Sequence, residues 1–391
     1  MVATIHRDPY RLLIRKIGYS VGLEHTLERV RDLADLYAGE GSVTSSNISE
    51  LLRTKWGLKT NNILDFFNEL DLVRSEANTI FVLPTLDALA ILRRELTETD
   101  FELALRAVLL CSMLSSDGDI FLNCLSAHFD RDAVRARLIS MVELKRARVK
   151  AVIRTPQAAR KIDRFIAIET QKTNKGGAVA GQGINALHRR EMLEIKRGPL
   201  AAESSMPAAV SDDYLRKVPG RRRDWAITLG LIDDEGSLTG SGERLMALFA
   251  RLEQEGTGTF TFWPYPDELR QLNLKDSDVL WVTPDRESII YGLKEVMTSE
   301  AFGAALCPHE ATVEWLIAIF ASYRALNPAR SMVRVELPLR VARLVALGFS
   351  CANSPKDYDV LATVMEAQSR DQTIELRPSR QHEGSIVFRS R

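Results

Sequence analysis

The sequence predicts a mainly α protein with short β-hairpins, an α+β fold of several small units with a small α/β insertion. Apolar residues recur at helical spacing over most of the chain, and glycine-containing turns interrupt this pattern repeatedly. Short apolar runs typical of strands flank several polar tips. The length of 391 residues suggests two or three domains, each able to bury an adequate core.

The composition is that of a soluble globular protein, with 45% hydrophobic and 27% charged residues. The longest apolar stretch, 315–323, is about half the ~20 residues that a membrane span needs, so no membrane segment is expected. Charged side chains throughout residues 1–15 leave no apolar core for a signal peptide. The four cysteines lack the density of a disulfide framework, and we expect a cytoplasmic location.

The first unit is predicted over 1–98. Two short helices are expected at 47–56 and 60–70, after a helical region of about 40 residues that ends at two glycines. Strand-like runs at 72–73 and 80–83 flank a polar tip. This order of helix, turn, helix and two-stranded wing resembles the winged helix-turn-helix superfamily. The resemblance implies that the second helix of the pair reads the ligand and that the hairpin is an accessory contact.

A second, basic unit is predicted over 99–170. Its expected elements are a helix at 101–114, a turn at 117–119, a short element at 120–127 and a helix from Asp130 or Asp132 to about Glu143. These elements repeat the order of the first unit.

A third unit is predicted over 171–256 and begins with a flexible, glycine-rich linker. Its expected elements are the linker at 172–185, a helix near Leu193, a short helix at 211–217, a reading helix at 221–229, a turn at 233–236 and a closing helix at 243–252. The stretch from the reading helix to the closing helix most resembles a winged helix.

The fourth unit is predicted over 257–391 and combines an α/β segment with a C-terminal winged-helix-like part. Its expected elements are one or two strands within 260–291, helices at 311–326, 337–347 and 355–365, the last capped by Ser354, and a hairpin of 373–377 with 385–388. The resemblance in all four units is to a fold.

The charge of the chain is unevenly distributed, although Lys plus Arg and Asp plus Glu each total 52. Between Arg131 and Arg223 the sequence has 22 basic and 9 acidic residues, a net charge of +13, and the rest of the chain carries −13. Such a block attracts polyanions, and each phosphate that it neutralises releases a counterion. The alternative is that its basic residues are dispersed or dock on acidic parts of the same chain.

Ten basic residues of this block are the candidate contacts to double-stranded DNA. In the second unit they begin with two arginines one helical turn apart. In the third unit three consecutive arginines fall at the predicted start of the reading helix, where they oppose the helix dipole and a bound anion would relieve the conflict. The set is Arg131, Arg135, Arg146, Arg148, Lys150, Arg216, Lys217, Arg221, Arg222 and Arg223. For the triplet the alternative is ion pairing with Asp212, Asp213 or Asp224.

The other two units suit different roles. The predicted reading helix of the first unit exposes carboxylates, Asp65 and Glu69, which repel phosphate, so we expect a protein partner or a second copy of the chain there. Basic residues of the C-terminal wing, such as Arg377 and Arg389, suit backbone positioning more than base reading.

No catalytic, metal or cofactor site is expected. The glycine-rich stretch around Gly176 lacks the Gly-Lys-Ser/Thr ending of a Walker A motif. Cys111, Cys124 and His128 do not have the spacing of zinc ligands. Carboxylate and lysine pairs, one of them at Glu143, fall in predicted helices rather than in the strands that nuclease cores use.

The predicted function is non-catalytic binding of duplex DNA through the basic segment 131–223. The alternative is a winged-helix scaffold or accessory subunit of a larger DNA-handling complex, acting through protein–protein contacts. Both interpretations depend on where the fold places the arginines of the basic segment.

Overall fold

The computed structural model describes residues 25–58, 62–76, 79–138, 140, 212–254, 312–349, 360–378 and 384–389. These residues are mostly helical, with a few short antiparallel strands, so the prediction of a mainly α protein with short β-hairpins is confirmed. None of the helices in these ranges is long and apolar enough to span a membrane. The predicted α/β insertion, the glycine-rich linker and the helix near Leu193 lie outside the described residues.

The N-terminal unit, residues 25–82, has the predicted order of helices and hairpin. Its elements are α1 (Thr26–Glu40), α2 (Ser45–Glu50) with a π-helical turn (Leu51–Lys55), α3 (Asn62–Glu69), β1 (Val73–Glu76) and β2 (Thr79–Val82). Gly41, at a left-handed φ of 67°, ends α1 by donating its N–H to the Tyr37 carbonyl. Thr44 and Asn47 then form a capping box that begins α2. The two strands pair antiparallel.

The middle of the chain departs from the prediction. α4 (Pro84–Glu95) and α5 (Glu98–Ser126) follow the hairpin, and residues 131–138 form a further helix. Because α5 is one helix of 29 residues, the turn predicted at 117–119 and the separate element after it are wrong. Asp117 does not end the helix, because it is 1% exposed and held in an ion pair with a distant arginine. Tertiary contacts here override the local preference for a turn.

The predicted division of the third unit into a short helix and a reading helix is also wrong. A single helix, α6 (Asp212–Thr228), contains both and continues through Pro219. The turn predicted at 233–236 is confirmed, with an isolated antiparallel bridge across it. The closing helix is α7 (Gly240–Gln254).

The C-terminal unit, residues 312–389, consists of a helix, a strand, two helices and a hairpin. Its elements are α8 (Val313–Leu326), β3 (Met332–Arg334), α9 (Glu336–Gly348), α10 (Val360–Arg370), β4 (Ile374–Arg377) and β5 (Ser385–Phe388). β5 lies between β3 and β4 and pairs antiparallel with both. The first two helices and the hairpin are as predicted, and α10 ends at Arg370 rather than Met365. The predicted cap at Ser354 lies outside the described residues.

The two terminal units share one hydrophobic core with the helices between them. α9 packs against α4 and α5, and α1 also packs against α4. The contact is close at Gly348, where a Cβ atom would lie 2.7 Å from the Leu92 side chain and 3.3 Å from the Cβ of Ala104. α6 packs on α5 and reaches α3, where the rings of Trp225 and Phe66 meet edge to face with centroids 5.4 Å apart.

Candidate nucleic-acid interface

The predicted DNA-binding residues are divided between two helices and the part of the chain that the structure does not describe. Three of them, Arg146, Arg148 and Lys150, lie outside the described residues. Two more, Arg216 and Lys217, lie in the first half of α6. The structure describes the side chains of the other five, which are Arg131, Arg135, Arg221, Arg222 and Arg223.

The helix at 131–138, which we call the basic helix, presents arginines to solvent. The Asp130 carboxylate caps its start by accepting a hydrogen bond from the Ala133 N–H at 2.8 Å. Val134 and Leu138 are buried, whereas Ala136 is exposed. Arg135 and Arg137 are exposed, whereas Arg131 is half-buried. The basic helix therefore contributes two guanidinium groups to the surface.

The arginine triplet of α6 does not form a row. Because α6 begins at Asp212, the triplet lies in the helix interior rather than at the N-terminus, and the predicted conflict with the helix dipole is wrong. Successive helical residues point about 100° apart, since 3.6 residues make one turn. The three guanidinium groups therefore enter three different environments.

Arg222 points into the protein. Its side chain is 4% exposed, and it donates two hydrogen bonds to the Asp117 carboxylate, from Nε to Oδ2 at 2.8 Å and from Nη2 to Oδ1 at 2.6 Å. This bidentate pair joins α6 to α5. Ion pairing was the alternative for the triplet, and Arg222 forms such a pair with a residue 105 positions away in the sequence. The Arg222 guanidinium is thus closed to a ligand in solution.

Arg223 contacts the turn that follows α6. Its Nη2 donates to the Asp234 carbonyl at 3.0 Å, and it lies 3.3 Å from the position that a Cβ on Gly236 would occupy. Gly236 has a φ of 94°, which favours glycine. Arg223 therefore stabilises this turn, and Arg221, which is half-exposed, is the candidate contact that the triplet retains.

The third helix of the N-terminal unit exposes a carboxylate, and two arginines of the C-terminal hairpin are ion-paired. Asp65 is exposed, as expected from the sequence, whereas Glu69 is half-buried. On the C-terminal hairpin, Arg389 and Arg377 share the carboxylate of Glu375, with N to O distances of 2.6 and 3.3 Å. The hydrogen bonds from Arg389 and then Arg377 hold the pKa of Glu375 below its usual value. These wing arginines are therefore engaged within their own sheet.

A buried polar cluster lies where α1, α4 and α8 meet, and no sequence motif revealed it. We call Tyr37, Asp87, Tyr323, Asn327 and Arg330 the junction cluster. Asp87 accepts hydrogen bonds from the Tyr37 hydroxyl at 2.8 Å and from the Asn327 amide at 3.0 Å, and Arg330 donates to the Tyr323 hydroxyl at 3.3 Å. Burial raises the pKa of Asp87 to about 6, although both hydrogen bonds and Arg330 oppose that shift. The feature of the sequence that marks this cluster is a carboxylate within the apolar sequence of α4.

The junction cluster is structural rather than open to a ligand, because Asp87 and Tyr37 are each 1% exposed. Across the described ranges, no group of three or more His, Cys, Asp or Glu side chains is placed to hold a metal ion. No protein-family model, curated protein or solved structure significantly matches this chain. Inference about function therefore rests on the fold and on the charged residues described above.

Proposed function

We propose that this chain is a non-catalytic protein that binds double-stranded DNA through its basic segment, residues 131–223. The observation that carries the proposal is the exposure of Arg135 and Arg137 on the basic helix, within a segment of net charge +13. Exposed guanidinium groups on a fixed helix suit contacts to phosphates, which give affinity without base reading.

We also propose that the two terminal units are winged helices. The C-terminal unit has the order helix, strand, helix, helix, strand, strand, and its first strand pairs with its last. The N-terminal unit has the same order without the first strand. The third helix of such a unit is the usual reader of DNA, but α3 exposes a carboxylate here. In this proposal the terminal units form the frame that holds the basic segment.

A mobility-shift titration of the full chain with duplex DNA, at salt from about 50 to 200 mM, tests DNA binding. The logarithm of the binding constant should fall linearly with the logarithm of salt, with a slope near 0.9 per phosphate contacted. Arg135→Ala and Arg137→Ala should each lower that slope by about 1 and weaken binding to all sequences alike. The matched control is Arg53→Ala, which removes an exposed arginine outside the basic segment and should leave the slope unchanged.

The contribution of the arginine triplet to DNA binding is tested with a single substitution rather than with all three. Replacing all three residues also removes the partner of Asp117, so that lost binding could not be separated from lost folding. Arg221→Ala avoids this problem and should weaken binding. Salt-independent binding, or an equal loss in Arg53→Ala, contradicts the proposal.

A second candidate function is that of a scaffold or accessory subunit of a larger DNA-handling complex. The carboxylate on α3 and the self-paired wing arginines favour it, because these surfaces suit protein contacts better than phosphate. If the purified chain does not bind DNA even at about 50 mM salt, this candidate replaces the first. Light scattering of the wild type and of Asp65→Lys then tests whether the N-terminal unit binds a second copy.

A further inference from the structure

The junction cluster connects parts of the protein that are far apart in the sequence. The hydrogen bond from Asn327 to Asp87 spans 240 residues, and the one from Tyr37 to Asp87 spans 50. The Tyr37 hydroxyl also lies 3.2 Å from the Leu326 carbonyl at the end of α8. One buried carboxylate on α4 therefore receives a side chain from each of the two terminal units.

Asp87 has no ion-pair partner among the residues that the structure describes. The Arg330 guanidinium donates to Tyr323, and both donors to Asp87 are neutral groups. An ionised carboxylate that is cut off from water and has no paired cation is costly. A protonated carboxyl keeps both hydrogen bonds, because its second oxygen can carry the proton. The hydrogen bonds are thus compatible with a protonated or an ionised Asp87, but burial disfavours the ionised form.

The other titratable and charged groups that face Asp87 keep their charge between pH 5 and 8 or are already paired. Burial raises the pKa of Tyr37 and raises that of Tyr323 to about 12, so both stay neutral. Arg330 stays cationic and favours ionisation of Asp87. Asp71, on the loop after α3, disfavours it, but Arg340 of α9 pairs with Asp71 at 2.6 Å. Asp87 is the group in this cluster whose charge changes over that range.

We propose that Asp87 is a proton-controlled latch between the N-terminal and C-terminal units. With the carboxyl protonated the units are held together, and its ionisation loosens the contact of α8 with α1 and α4. The proposal does not depend on DNA binding. It makes the relative position of the two terminal units sensitive to pH.

The direction of the effect follows from linkage. The pKa of Asp87 rises from 3.8 to about 6 on folding, so the folded state binds more protons than the unfolded state between those values. The added stability is complete below the unfolded pKa and is lost as pH rises through the folded pKa. The equilibrium constant for closing the junction between the two terminal units should therefore fall about tenfold between pH 5 and pH 8.

Hydrogen exchange of the full chain, measured by mass spectrometry from pH 5 to pH 8, tests the latch. After correction for intrinsic exchange rates, protection of α8 should fall about tenfold as pH rises in the wild type. Asp87→Asn keeps the side-chain shape and an acceptor oxygen but cannot ionise, so it should remove this pH-dependent step. The control Asp224→Asn changes an exposed aspartate on α6 and should retain the step.

Persistence of the step in Asp87→Asn, or a step of equal size in every helix, would overturn the proposal. A carbon-13 NMR titration of aspartate carboxyls in the wild type gives a second measurement if Asp87→Asn does not fold. One carboxyl titrating near pH 6 supports the latch. Titration of every aspartate below about pH 5 overturns it, because the junction carboxyl would then be charged throughout the range.

Discussion

Asp117 and Asp87 are both 1% exposed, yet the protein satisfies these two buried carboxylates in different ways. Asp117, on α5, receives a bidentate guanidinium from α6. Asp87, on α4, receives a phenol and an amide, both neutral. The first contact fixes α6 to the body of the protein, and the second joins the two terminal units to each other.

The difference shows that the charge of the partner decides whether a buried carboxylate is electrostatically compensated. A guanidinium stays charged at any pH at which the protein is folded, so Asp117 has a permanent cation beside it. Neutral donors do not offset the cost of burying a charged carboxylate, so the junction responds to pH. The molecule therefore combines a buried carboxylate that is paired with a cation and a buried carboxylate that has neutral donors.

Loss of the charged partner at Asp117 should give the largest effect. Arg222→Met leaves a buried carboxylate without its cation and should lower the free energy of unfolding by about 3–5 kcal/mol, as measured by denaturant titration. Arg221→Ala, one position away and half-exposed, should change it by less than about 0.5 kcal/mol.

The double variant Asp117→Leu with Arg222→Met shows whether this cost comes from the unpaired charge. Apolar residues of similar size often replace a buried ion pair at little cost, so the double variant should recover most of the lost stability. If it is as unstable as Arg222→Met alone, the position of α6 depends on packing rather than on charge.

Apolar packing at the junction of the terminal units should give an intermediate effect. Gly348→Ala brings a methyl group against Leu92 and should cost about 1–3 kcal/mol in a thermal or denaturant titration. Gly39→Ala, within α1 and with no atom within 4 Å of the new Cβ, should stabilise the protein by about 0.5–1 kcal/mol. Equal responses of the two variants would show that α9 does not pack tightly on α4.

Removal of one neutral donor at the junction should give the smallest effect. Tyr37→Phe deletes the hydroxyl that donates to Asp87 and should cost about 1 kcal/mol at pH 7, because Asn327 still donates to the carboxylate. Measurement at pH 5 should give a smaller loss, since a protonated carboxyl needs its donors less. A loss above about 3 kcal/mol would mean that the polar contacts dominate over packing at the junction.

Local signals in the sequence were sufficient for much of the terminal units. Gly41 marks a helix end where the structure has it, and 373–377 with 385–388 forms the predicted hairpin. Each of these features is set by residues close together in the sequence, through turn conformations and alternation. Sequence patterns predict such elements because their causes are local.

The features that sequence could not predict depend on distant partners. Asp117 and Pro219 both resemble helix breaks, but tertiary packing keeps α5 and α6 continuous. The sequence offers only nearby aspartates as partners for Arg222, whereas the structure pairs it with Asp117, 105 residues away. In the sequence Asp87 is marked only as a carboxylate within an apolar helix, because its donors come from α1 and from the residues after α8. A one-dimensional pattern does not contain these pairings.

The position of α9 against α4 and α5 also has a consequence for biosynthesis. A ribosome produces α5 roughly 10–40 s before α9, at about 5–20 residues per second. Until α9 emerges, the faces of α4 and α5 that it covers stay in contact with water, including Leu92 and Ala104. The growing polypeptide therefore exposes apolar surface that favours aggregation during that interval.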